Sequence, residues 1–100
     1  MFRERHFRGR MEITADIVRL CLEGTRKTAV MYKCNLSYEQ LNRYLKEVQE
    51  RGLIEKDVIN GKGFYKATPK GRDYLAKYDR LQQIIKDDQY LPTSHLSTIF

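Results

Sequence analysis

One hundred residues with 19 Lys or Arg against 13 Asp or Glu, a formal charge of +6, make one domain whose modest core dimerisation would help. No apolar run approaches the roughly 20 residues that span a bilayer. The basic start from Met1 to Arg10 also lacks the apolar stretch and cleavage site of a secretory signal, so a cytoplasmic protein with no membrane partner is expected. Cys21 and Cys34 have neither CxxC nor zinc-ligand spacing; they read as buried or partly buried thiols, and no metal or cofactor is expected.

The charge is uneven. Residues 1–33 carry eight Lys or Arg against four acids, whereas 34–68 and 69–100 each come close to balance. Arg3, Arg5, Arg8 and Arg10 precede the first helical pattern, so residues 1–10 read as a flexible basic arm. Such an arm either lies along phosphates or a minor groove, or merely solubilises the terminus.

Ile13, Ile17, Leu20 and Cys21 then fall at i, i+4, i+7 and i+8, which predicts a first helix over 11–23 ending at Gly24. A short helix over 28–33 follows, with Val30 and Met31 inward and Arg26, Lys27 and Lys33 outward. Cys34-Asn35-Leu36 makes a turn plugged by Leu36. Ser37 and Gln40 stand at the two positions of a capping box, so another helix begins there. Leu41, Tyr44, Leu45 and Val48 give it an apolar stripe, and Gly52 ends it after 37–51 as a left-handed C′ residue. Its opposite face carries Glu39, Gln40, Asn42, Arg43, Lys46 and Glu50, where amides and basic groups suit base edges and phosphates. Any amphipathic helix has a solvated face, so the weight rests on the order of elements.

Residues 53–59 and 63–67 read as two strands of a hairpin closed by Asn60-Gly61-Lys62-Gly63. Lys62 at its tip and Lys66 on the return strand suit a phosphate; the rival role of such lysines is to block edge pairing. Thr68 as N-cap and Pro69 at N1 open a last helix over 69–89, with Gly71 permitting close packing. Tyr74, Tyr78, Leu81 and Ile85 alternate spacings of four and three, the seam of a coiled coil, and Leu75 and Ile84 widen the stripe. A second copy is the simplest cover for Tyr74, Tyr78, Leu81, Ile84 and Ile85; folding back on the domain, or cover by the tail, would also serve. Pro92 stops helical continuation, and Leu91, Leu96, Ile99 and Phe100 give residues 90–100 an apolar character open to three readings: a fold over the coiled coil, a protein partner, or disorder.

The order of elements predicts an α+β, mainly helical fold: a winged helix-turn-helix over 11–68 with a C-terminal dimerisation helix over 69–89. Lys27-Thr28, Val30 to Lys33, Asn35 to Leu41, Arg51 to Ile54, Tyr65 to Thr68, Lys70-Gly71 and Tyr74-Leu75 carry a more specific likeness. From Met11 to Ile85 the chain resembles the archaeal ArnR-like winged-helix regulators, and equally the small archaeal chromatin-associated winged-helix proteins. The resemblance implies a DNA-binding fold, a homodimer joined by an antiparallel C-terminal coiled coil, an archaeal or archaeal-virus source and a nucleoid-associated location. The chain departs from the pattern in its arginine-rich arm, its short coiled coil and its apolar tail.

The function expected is therefore double-stranded-DNA binding by a homodimeric transcription regulator or chromatin-associated protein. Gln40, Asn42 and Arg43, with Lys46 beside them, would enter the major groove; Arg26, Lys27, Lys33, Ser37 and Tyr38 would hold phosphates; Lys62 and Lys66 would meet the flanking backbone. The alternative is a protein-interaction module of a larger complex, favoured by Glu39, Glu47 and Glu50 on the proposed recognition helix. An enzyme is not expected, because Gly61-Lys62-Gly63 lacks Walker spacing and neither a metal-binding His-Glu helix nor a nucleophile elbow occurs.

Overall fold

The computed structural model describes residues 9–87 as α1 (Arg10–Leu20), α2 (Lys27–Lys33), α3 (Tyr38–Glu50), β1 (Ile54–Ile59), β2 (Lys62–Ala67) and α4 (Pro69–Lys86). Arg3, Arg5 and Arg8 of the expected arm and the expected tail over 90–100 lie outside the described residues. Arg10, assigned to the arm, is instead the first residue of α1. That helix closes at Leu20, earlier than expected, because the chain must turn: Gly24 takes φ 91°, and Thr25 pairs with Tyr65 of β2 in a single bridge.

The turn between α2 and α3 is made by the backbone. Asn35 adopts φ 55°, which Asn tolerates better than most side chains. The Leu36 amide then donates to the Met31 carbonyl and the Asn35 amide to that of Tyr32, a Schellman closure. Leu36 is buried in the corner, as its apolar character requires. At the start of α3 the capping box is complete: the Gln40 amide donates to Ser37 Oγ at 3.1 Å, and the Ser37 amide donates to Gln40 Oε1 at 2.9 Å. Leu41, Tyr44, Leu45 and Val48 are buried on the inner face, and Gly52 at φ 77° closes the helix.

The wing is an antiparallel pair in register Ile54↔Ala67 to Ile59↔Lys62. Its loop is only Asn60-Gly61, both at positive φ, so Lys62 and Gly63 belong to β2 rather than to a four-residue turn. The root of the hairpin is buried through Ile54, Tyr65 and Ala67, while β1 from Glu55 onward is exposed.

α4 starts hard against the end of α3. Thr68 Oγ1 accepts from the Gly71 amide and donates to the Gly52 carbonyl, and Lys70 Nζ donates to the Arg51 carbonyl at 2.7 Å. A Cβ on Gly71 would stand 2.0 Å from the Leu53 carbonyl oxygen, so this approach requires glycine. The helix ends at Lys86 with Asp87 already extended, short of the expected Gln89. It crosses α1, where Arg19 grips Asp79 with two hydrogen bonds of 2.9 and 3.0 Å and Tyr74 Oη donates to the Met11 carbonyl. Tyr74 and Tyr78, expected on the dimerisation face, stack at 6.3 Å and pack partly on this chain's own core. Leu81 and Ile85 remain exposed and Ile84 is half-buried.

The largest fully buried side chains of the core are Ile17, Val18, Cys21, Val30, Cys34, Leu41 and Val48. Cys21 and Cys34 are both buried and neither is in a disulfide, and burial, reinforced by neighbouring Cys34, pushes Cys21 up to about 12.

Candidate nucleic-acid interface

The outer ridge of α3 separates two depressions. Toward the wing, Asn42, Lys46, Gln49 and Glu50 face Lys27 and Tyr65. Toward α1, Arg43, Lys46, Glu47, Glu50 and Arg51 face Arg10. Lys46 therefore borders both, while Asn42 and Arg43 look to opposite sides. The arrangement follows from the capping box and the buried stripe, which together set the rotation of α3.

Electrostatics separate the acids on this helix. Glu47 Oε2 accepts from Arg10 Nη2 at 2.6 Å and meets Arg51 Nη2 at 3.2 Å. The hydrogen bond from Arg10 is the main reason the Glu47 carboxyl lies below its ordinary range. Glu39 and Glu50 are exposed and make no ion pair among the described residues.

At the start of α3, Lys27 Nζ stands 5.2 Å from the centre of the exposed Tyr38 ring, which brings two expected phosphate ligands together. Ser37 and Gln40 are exposed, but the cap engages the serine hydroxyl as an acceptor and the glutamine carbonyl, leaving their donor hydrogens outward. Arg43 is exposed with its guanidinium 5.8 Å from the Tyr44 ring.

A third depression, about 330 Å³, lies between α2 and the wing and is lined by Arg26, Lys27, Lys56, Lys62, Gly63 and Tyr65 together with Thr28. It gathers three of the expected cations and one that the sequence patterning does not single out, Lys56. A four-residue hairpin loop would have paired Lys56 elsewhere; the observed two-residue loop sets it opposite Tyr65 on the inner face. The same register places Lys66 opposite Glu55 on the other face, away from this group. Lys33 is exposed at the far end of α2, about 9 Å along the axis from Lys27. Arg10 and Gln49 also join the surface unforeseen, one because helix α1 begins earlier than its apolar pattern, the other because it extends the polar ridge by one turn. No helix of the described residues is long and apolar enough to cross a membrane.

On the opposite side, Met11, Leu53, Tyr74, Tyr78 and Leu81 line a mainly apolar groove of about 360 Å³ rimmed by Lys70, Asp73 and Lys77. Burial pushes the Tyr74 phenol above its ordinary range.

Comparison with curated proteins returns no match. Among solved structures the chain is similar to Sso10a-2, a DNA-binding protein from Sulfolobus solfataricus, at 26% identity and a TM-score of 0.72 over 93% of this chain and 97% of that one. A MarR-family transcriptional regulator from Silicibacter pomeroyi shares the fold at 21% identity and a TM-score of 0.56, over 91% of this chain and 67% of that one. A mutant ZitR from Lactococcus lactis in complex with DNA shares it at 18% and 0.53, over 87% and 70%. A family model described as winged helix-turn-helix matches residues 8–86. The helix, the tight turn, the capped second helix and the hairpin all fall within that span, and the chain belongs to the winged helix-turn-helix family.

Proposed function

We propose that this protein binds double-stranded DNA as a homodimer and acts as a transcription regulator or chromatin-associated protein, located on the nucleoid in the cytoplasm. The observation that carries the reading is the run of uncompensated positive charge around α3. Arg26, Lys27, Lys56 and Lys62 flank it, and none forms an ion pair among the described residues. Surface charge of one sign beside an exposed polar helix is the footprint of backbone binding. In this arrangement α3 enters the major groove with Asn42, Arg43 and Lys46, its capped start with Tyr38 approaches a phosphate, and the wing lies on the flanking backbone. The 26% identity with Sso10a-2 across nearly both chains supports the same assignment.

Leu81, Ile84 and Ile85 continue the stripe of Tyr74 and Tyr78 beyond the domain's own core, and a second copy of α4 is their proposed cover as an antiparallel pair. The double substitution Leu81→Asp/Ile85→Asp should halve the mass seen by sedimentation without unfolding the domain; an unchanged dimer would remove α4 from that role.

The test of DNA binding is fluorescence anisotropy of a labelled duplex of about 30 base pairs at about 50 and 200 mM salt, where counterion release governs affinity. Affinity should fall by about 10³-fold or more if some six phosphates are contacted. Arg43→Ala should weaken binding and relax sequence preference, whereas Lys62→Ala should weaken all sequences alike and flatten the salt dependence. Absence of binding at the lower salt would favour a protein-interaction module, the reading to which exposed Glu39 and Glu50 on α3 lend themselves.

A further inference from the structure

We propose that the depression between α2 and the wing is a single phosphate-recognising site with Lys56 at its centre. Where the phosphate belongs to DNA, this deepens the binding reading above and rests on it; a free polyphosphate would occupy the same site independently.

Three observations converge on Lys56. The first is its lie across the hairpin: a Cβ added at Gly63 would come 3.0 Å from Lys56 Cε and 3.8 Å from Nζ, so the glycine leaves the track that the lysine follows. The second is the floor, since Lys56 Nζ stands 6.0 Å from the centre of the buried Tyr65 ring. The third is the frame. The Thr25 amide donates to the Tyr65 carbonyl at 2.9 Å and the Tyr65 amide returns a bond of 2.8 Å, so the residues that follow Thr25, namely Arg26 and Lys27, are tied to the same strand as the floor.

The ligand chemistry follows from the donors. Arg26, Lys27, Lys56 and Lys62 line a space of about 330 Å³ that no carboxylate enters, and none of the four is neutralised by an ion pair among the described residues. Elsewhere on the molecule Arg10, Arg19, Arg51 and Lys77 all have acidic partners. Like charges held together repel, and an anion with oxygens pointing several ways relieves them all at once. A carboxylate offers two oxygens in one plane; a phosphate presents a tetrahedral set that ammonium and guanidinium donors can share. The source is either a backbone phosphodiester or a small free polyphosphate.

The experiment uses the full chain with Lys56→Met, Lys56→Arg and Gly63→Ala, titrated in parallel with a labelled duplex over a salt series and with inorganic pyrophosphate by calorimetry. Lys56 is exposed, so the substitutions should leave the circular dichroism unchanged. For a duplex phosphate, K56M should lower the slope of log affinity against log salt by about one, K56R should restore it, and G63A, which asks the lysine to give by only a few tenths of an ångström, should lower it by less than K56M. For a free polyphosphate, pyrophosphate should bind the unmodified chain, compete with duplex, and lose its binding in K56M. Either pattern sustains the site and names its source. A duplex slope indifferent to Lys56, together with pyrophosphate binding that is absent or equally indifferent, overturns it. If the unmodified chain binds no duplex at all, the DNA reading falls while the pyrophosphate arm still decides the site.

Discussion

Gly71 shows how one missing side chain sets the junction between the wing domain and its last helix. Because the obstacle to a Cβ there is the Leu53 backbone, 2.0 Å away, rather than a flexible side-chain tip, relief requires α4 to move. Gly71→Ala should therefore cost about 1–3 kcal/mol, the range for overpacking, measured as a lowered urea midpoint. Cys21 carries a different constraint. Its folded thiol is raised from 9.0 to about 12, so the native state holds the proton where the unfolded chain releases it. The associated stability is complete below about pH 9 and is lost as pH rises through about 12. Burial raises Tyr74 and Tyr78 as well, in the same direction. Cys21→Ala should thus flatten the alkaline decline without abolishing it, as read from denaturation below and above that window.

Among the elements, α3 is anchored at both ends by capping hydrogen bonds. Its start depends on the reciprocal Ser37 and Gln40 bonds, so Ser37→Ala should lower stability by about 1 kcal/mol in thermal unfolding. Its end is held from outside, by Lys70 on the Arg51 carbonyl and Thr68 on that of Gly52. A helix fixed at both ends presents its outer ridge at one rotation, which is what a groove-reading surface requires. The capping box was legible in the sequence because it is local, a serine and a glutamine three residues apart. The external clamp was not, since Lys70 looks like any exposed lysine until the hairpin brings it back to the helix. The wing divides in the same way: Asn60-Gly61 marks the turn, but the choice between a two-residue and a four-residue loop decides which residues stand opposite Lys56 and Lys66, Tyr65 and Glu55 rather than Ala67 and Asp57, and that choice is fixed by pairing across the strands.

For the whole molecule, ion pairs join parts of the described residues that lie far apart in sequence, Arg10 with Glu47 and Arg19 with Asp79. Hydrogen bonds from these arginines hold both carboxyls below their ordinary values of 4.5 and 3.8. Their contribution is present above those values and is lost as pH falls through the lowered folded range, so acid should loosen α1 from α3 and α4 before the core opens. Hydrogen-exchange protection at α1 amides, taken relative to the intrinsic rate at each pH, should fall on acidification, and Arg19→Met should reproduce part of that fall at neutral pH; equal protection in the variant would deny the pair any restraining role. Because both pairs are largely solvent-exposed, the effect belongs to local opening rather than to global unfolding.

The order of helices, the turn, the capped helix, the hairpin and the apolar stripe of the last helix were determined by the sequence alone, because each rests on spacing between near neighbours. Tertiary structure decided what those elements share. It drew Arg10 from the expected arm into α1 and onto Glu47, and it turned Tyr74 and Tyr78 partly toward their own core. It also gathered Arg26, Lys27, Lys56 and Lys62 around one depression. The physical reason is distance along the chain. Caps and periodicities act within a turn or two of helix, whereas a charge cluster depends on strand register and helix docking, which exist only once the core has closed.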